Sequence, residues 1–140
     1  MYAKILVPLD GSPLAEQAAL HAAELSRFCG SQLTLVSVCA DKAGMQRQVE
    51  YLEGLRHRLE FHRLAVRGAV RVGEPAPEIV AAALEEDSDL IVICSHGRTG
   101  LARTVFGSVA ETVVRAAHCP VTVVKANGPQ PLGNVEAVPA

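Results

Sequence analysis

Short runs rich in apolar and β-branched residues alternate with longer stretches at helical spacing along most of the chain, and this alternation constrains the fold most. The first run, residues 3–9 (AKILVPL), stops at Asp10-Gly11-Ser12-Pro13. There Ser12 suits a helix N-cap and Pro13 a first helical turn. Leu14, Ala18, Ala22 and Leu25 then recur at helical spacing until Gly30. A second strand is expected over 32–38 (QLTLVSV). A more charged helix follows from about Ala43 to Leu64, with Val49, Leu52, Leu55 and Leu59 as its apolar stripe. Residues 65–72 (AVRGAVRV) alternate and read as a third strand, after which Gly73-Glu74-Pro75 turns into a helix carrying Ile79, Val80, Ala83 and Leu84. DLIVIC (89–94) is the most apolar strand. A loop from Ser95 to about Arg103, a helix through Val109, Val113 and Ala116, and a fifth strand over 120–125 close the pattern.

Strands covered by helices on both faces read as continuous apolar runs. Repeated β-α units joined by right-handed crossovers form an open parallel sheet. The whole of 1–125 is therefore expected to be one α/β domain. Residues 126–140, with Pro129, Pro131, Pro139, Gly128 and Gly133, are expected to form a flexible C-terminal tail.

Charge excludes some partners. The formal net charge is −2, so no excess of positive charge favours binding to nucleic acid. The apolar runs fall far short of the ~20 residues that cross a bilayer, and the N-terminus lacks a signal-peptide pattern, so a cytoplasmic protein without membrane contact is expected. Cys29, Cys39, Cys94 and Cys119 are scattered without CxxC or zinc-like spacing. His57 and His62 lie five apart, which does not place them on one helical face.

In open α/β sheets ligands bind beyond the carboxyl ends of the strands, where strand order reverses. Asp10 follows the first strand. After the fourth come Cys94-Ser95-His96-Gly97-Arg98-Thr99-Gly100, and then Gly107-Ser108 at the start of the last helix. Glycines let backbone approach an anion, and N–H groups at a helix start favour negative charge. Ser108 adds a hydroxyl, and Arg98 and Arg103 add positive charge. Asp10 suits ribose hydroxyls or a magnesium-bound water. The plainer reading is a glycine-rich turn, a helix-capping Ser108 and an Asp10 that caps its own turn.

The segment SHGRTGLARTVFGSVAETVVRAAHCPVTVV resembles the C-terminal signature of universal stress proteins. Nucleotide-binding members of that family are similar to Gly, two residues, Gly, nine residues, Gly, then Ser or Thr; Gly97, Gly107 and Ser108 match its last three positions. KILVPLDGS, the set Val70, Val72, Gly73 and Pro75, and the closing CPVTVVK extend the resemblance over roughly 2–125. The first glycine of the pattern is Cys94 here, which a small side chain permits unless the backbone needs a positive φ.

The resemblance implies a Rossmann-like, adenine nucleotide alpha hydrolase-like fold: an open five-stranded parallel sheet, helices on both faces, strand order 3-2-1-4-5. It implies ATP, accompanied by Mg2+, as a regulatory ligand in a stress response. Pro8 and Asp10 would line the adenosine side, with Asp10 reaching the metal of Mg-ATP, and Val38 would touch adenine. Cys94, Ser95, His96, Gly97, Arg98 and Thr99 would wrap ribose and phosphates, and Gly107, Ser108 and Val109 would close on the phosphate end. It also implies a homodimer through the edge strand Val121 to Lys125.

Fast ATP turnover is not expected: the P-loop pattern GxxxxGK[ST] is absent, and no carboxylate beside Gly107-Ser108 positions water. A Cys at the end of a buried strand is read as inert packing; a thiolate at Cys94, favoured by Arg98 and a helix N-terminus, is the alternative. A receiver-type phosphoacceptor is disfavoured because Val72-Gly73-Glu74 offers no acceptor Asp. The alternative within the family is a nucleotide-independent dimeric stress-response interaction module.

Overall fold

The computed structural model describes residues 2–60, 64–95 and 107–125. Five strands are present: β1 (Lys4–Pro8), β2 (Gln32–Cys39), β3 (Ala65–Val72), β4 (Leu90–Cys94) and β5 (Val121–Val124). Between them lie α1 (Pro13–Cys29), α2 (Met45–Glu60), α3 (Pro75–Glu85) and α4 (Ser108–Ala116). A 3-10 turn, Lys42–Gly44, precedes α2, so that helix starts slightly later than the expected Ala43. His62 and the tail 126–140 lie outside the described residues.

All pairings are parallel and the strand order is β3-β2-β1-β4-β5. β1 thus lies between β2 and β4, with Ile5 opposite Leu33 on one side and Leu90 on the other. Strand order reverses there, between β1 and β4.

Alternate strand residues point to opposite faces, and each face has its own core. Ile5, Val7, Leu33, Leu35, Leu90 and Val92 pack under α1 and α2. Leu6, Val36, Ile91 and Ile93 pack under α3 and α4. α1 presents Ala18, Ala19, Ala22 and Ala23 to the sheet, small side chains that let the helix approach closely. Each fully buried Leu or Ile contributes roughly 1.5–3 kcal/mol relative to exposure.

Local signals set the ends of α1. The Ser12 hydroxyl accepts a hydrogen bond from the Ala15 N–H at 3.1 Å. Gly30 ends the helix in the left-handed region, φ 67°, and its N–H donates to the Ser26 carbonyl at 2.7 Å.

Candidate functional site

The chain leaves β1 through a tight constellation. The Leu9 N–H donates to the Val36 carbonyl at 2.8 Å, prolonging the ladder by one bond. Asp10 Oδ1 then accepts from the Ser12 N–H at 2.9 Å and from the Ser12 hydroxyl at 2.6 Å. Gly11 between them has φ 88°, a conformation that glycine adopts without strain. Asp10 therefore holds its own turn, as the plainer reading expects, and that turn aims α1.

The other half of the site follows β4. The Ser95 N–H donates to the Val124 carbonyl at 2.8 Å, and the Ser95 carbonyl accepts from the Gly107 N–H at 2.7 Å. This last bond fixes where α4 begins. Gly107 is the N-cap, with φ −70° and ψ 161°, and no side chain among the described residues caps this helix. Ser108 is its first helical residue and is exposed, so the expected capping role for Ser108 does not hold.

Between these halves, over the reversal of strand order, lies a cavity of about 300 Å³. Pro8 lines it from the end of β1 and Asp10 from the turn beyond, Val38 from β2, Cys94 from the end of β4 and Ser95 from just after it. Gly107, Ser108 and Val109 line it from α4. His96, Gly97, Arg98 and Thr99 lie outside the described residues.

Sequence reasoning missed Leu9, Ala15, Val36, Ile93 and Ala110, which extend the floor, and a whole wall made by Pro75 and Ile79 of α3. One signal for that wall exists: only Gly73 and Glu74 separate the third strand from Pro75, so the crossover to β4 must begin above the carboxyl edge. Ala15, Pro75 and Ser108 all belong to first turns, so three helices start at this one cavity. The N–H groups and positive dipole ends of helix starts favour a negatively charged ligand. The floor, by contrast, is apolar.

Cys94 is the last residue of β4, is 6% exposed, and is extended: among the described residues Asp87 is the non-glycine with positive φ. The backbone at Cys94 thus makes no demand for glycine. No group of three or more His, Cys, Asp or Glu able to hold a metal occurs among the described residues.

Beside the Asp10 turn, the Tyr51 hydroxyl of α2 donates to Glu16 of α1 at 2.6 Å, and Arg58 stands 3.9 Å from the same carboxylate. Burial, followed by the bond to Glu16 and the charges of Glu16 and Asp10, raises the Tyr51 phenol well above its ordinary value of 10.0.

Residues 1–125 match the family model described as the universal stress protein family. The chain belongs to that family. Universal stress protein MJ0531 of Methanocaldococcus jannaschii is 34% identical over 141 aligned residues, covering 89% of this chain and 83% of that protein. The structure of MJ0577, a universal stress protein of the same organism, superposes with a TM-score of 0.81 at 30% identity. That superposition covers 92% of this chain and 99% of the other. A universal stress protein from Archaeoglobus fulgidus, solved in complex with dAMP, gives a TM-score of 0.72 at 25% identity over 89% of this chain and 98% of that one. This universal stress protein shares their fold, and its own sheet is five-stranded and parallel. No helix of its described residues is long and apolar enough to cross a membrane.

Proposed function

We propose that this universal stress protein binds an adenine nucleotide, ATP with Mg2+, as a regulatory ligand in the stress response, with slow or no hydrolysis. One observation carries the reading: an apolar cavity at the reversal of strand order, ringed by the first turns of three helices. A flat aromatic base suits the space between the walls of Val38 and Ile79 over the floor of Val36 and Ile93, and phosphates suit the helix starts. The dAMP held by the Archaeoglobus relative supports the choice of base.

In this reading Pro8, Asp10 and Val38 face adenosine. Cys94, Ser95, Gly107, Ser108 and Val109 face ribose and phosphates, together with His96, Gly97, Arg98 and Thr99. Mg2+ keeps several waters and takes phosphate oxygens and one or two carboxylates, and Asp10 is the carboxylate on the cavity wall. The protein acts in the cytoplasm as a homodimer joined through Val121 to Lys125. The bound nucleotide biases its choice of partner to the extent that it binds two states differently.

Calorimetric titration of nucleotide-stripped protein with ATP and Mg2+, repeated with ADP, tests the reading. Micromolar ATP binding is expected. Gly107→Val should abolish it by filling the phosphate end, while the fold persists because φ −70° suits valine. No binding by the unsubstituted protein would leave a nucleotide-independent dimeric interaction module. Unchanged affinity in the valine variant would remove the phosphate-end assignment.

A further inference from the structure

The carboxyl end of edge strand β3 holds a charged cluster that the nucleotide reading leaves unused. Arg71 Nε donates to Glu78 Oε1 at 2.8 Å. Its Nη1 and Nη2 donate to the two carboxylate oxygens of Glu85 at 2.9 and 3.3 Å. Glu78 and Glu85 lie two turns apart on α3, so one planar guanidinium spans most of that helix. Bidentate pairing of this kind fixes geometry as well as charge. The Arg71 side chain is 23% exposed and that of Glu78 29%, so solvent screens this pair less than it screens a fully exposed one.

The same short segment grips β2. The Gly73 N–H donates to the Cys39 carbonyl at 2.9 Å, and the Cys39 thiol donates to the Arg71 carbonyl at 3.6 Å. Gly73 itself has φ 147°, and a Cβ there would stand 2.9 Å from Glu78 Cγ, so the turn packs directly on the Glu78 side chain. Cys39 follows Val38, which lines one wall of the cavity; Pro75 and Ile79, on either side of Glu78, line the opposing wall. Residues 71–73 therefore join two walls of one cavity without entering it.

We infer that Arg71 is a positioning residue for the cavity's ligand: by clamping Glu78 and Glu85 it sets the separation of the α3 wall from Val38. This rests on the adenine-nucleotide reading above. A ligand held between apolar walls loses contact steeply as they part, because dispersion falls off within an ångström. The clamp is thus expected to act on affinity, not only on stability.

The test is ADP titration calorimetry on the whole chain at low temperature, with circular dichroism to establish that each variant is folded. Arg71→Met is expected to weaken ADP roughly fivefold or more, within the ordinary range of coupling between sites. Arg71→Lys keeps the charge but not the fork, so it should recover only part of the loss. Glu85→Gln, at a side chain 63% exposed, should weaken ADP as well, and adding it to Arg71→Met should weaken ADP no further. Folded variants with unchanged ADP affinity, or losses that simply add, would overturn the inference and leave the nucleotide reading standing. Failure of the unsubstituted protein to bind ADP would overturn both. If Arg71→Met does not fold, Glu85→Gln decides alone.

Discussion

Single side chains here carry unequal burdens. Cys94 stands where the family's motif has its first glycine, and its extended backbone makes no demand for glycine there, a fact that spacing alone does not disclose. Asp10 and Ser12 were both legible as turn and cap, since the chemistry that selects them is local. Pro75 and Ile79 were not legible as cavity residues: nothing in an apolar helical stripe says what its first turn overlooks.

Tyr51 is a case of the same kind, because its partner Glu16 is remote in sequence. Its folded-state phenol holds its proton more tightly than the unfolded chain does. The associated stability is fully present below about pH 10 and is lost as pH rises from there toward the raised folded value. Urea denaturation across pH 9–11 should therefore show a decline that is shallower in Tyr51→Phe. The variant should also lose about 1 kcal/mol at neutral pH, with the hydrogen bond to Glu16. Equal declines would show that Tyr51 does not titrate differently on folding.

At the level of elements, strands buried on both sides announced themselves as unbroken apolar runs. β3 was readable despite its two arginines because they alternate with small or apolar residues. The onset of α2 was blurred by a 3-10 turn, Lys42–Gly44, that runs directly into it. The two sheet edges differ in kind. β3 carries Arg67 and Arg71, paired to Glu86, Glu78 and Glu85, and such charges blunt an edge against further pairing. β5 carries Val121, Thr122, Val123 and Val124, all half-buried.

The carbonyls of Pro120 and Val124 accept from Ile91 and Ser95. Strand alternation therefore turns the N–H and C=O groups of Val121 and Val123 outward. If the proposed homodimer pairs these strands, Val123→Pro removes an outward donor but no bond to β4. Sedimentation should then show a dimer for the parent protein and a monomer for the variant. A variant that remains dimeric would place the interface elsewhere.

For the molecule as a whole, the fold class was open to sequence reasoning, since period and length of the apolar runs admit few architectures. The volume and walls of the cavity were not, because they depend on how α3 and α4 seat against the sheet. A ligand confined to the folded state must stabilise it. ATP at a hundredfold excess over its dissociation constant should add about 2.7 kcal/mol, read as a shift in the urea midpoint. No shift at saturating ATP would mean that nucleotide does not select the native state.

The position of β1 has a consequence for how the molecule comes into being. The first strand to be synthesised is the central one, and its neighbours are made at very different times: Leu33 meets Ile5 early, Leu90 only after α3 is complete. During translation β1, β2 and β3 are all made before β4. One flank of Ile5 and Leu6 then stays unpaired until β4 emerges. Long-separated pairings of this sort make folding slow and leave an adhesive apolar edge in the nascent chain. The β4-facing flank of the central strand therefore has no partner to pair with until the fourth strand has been made.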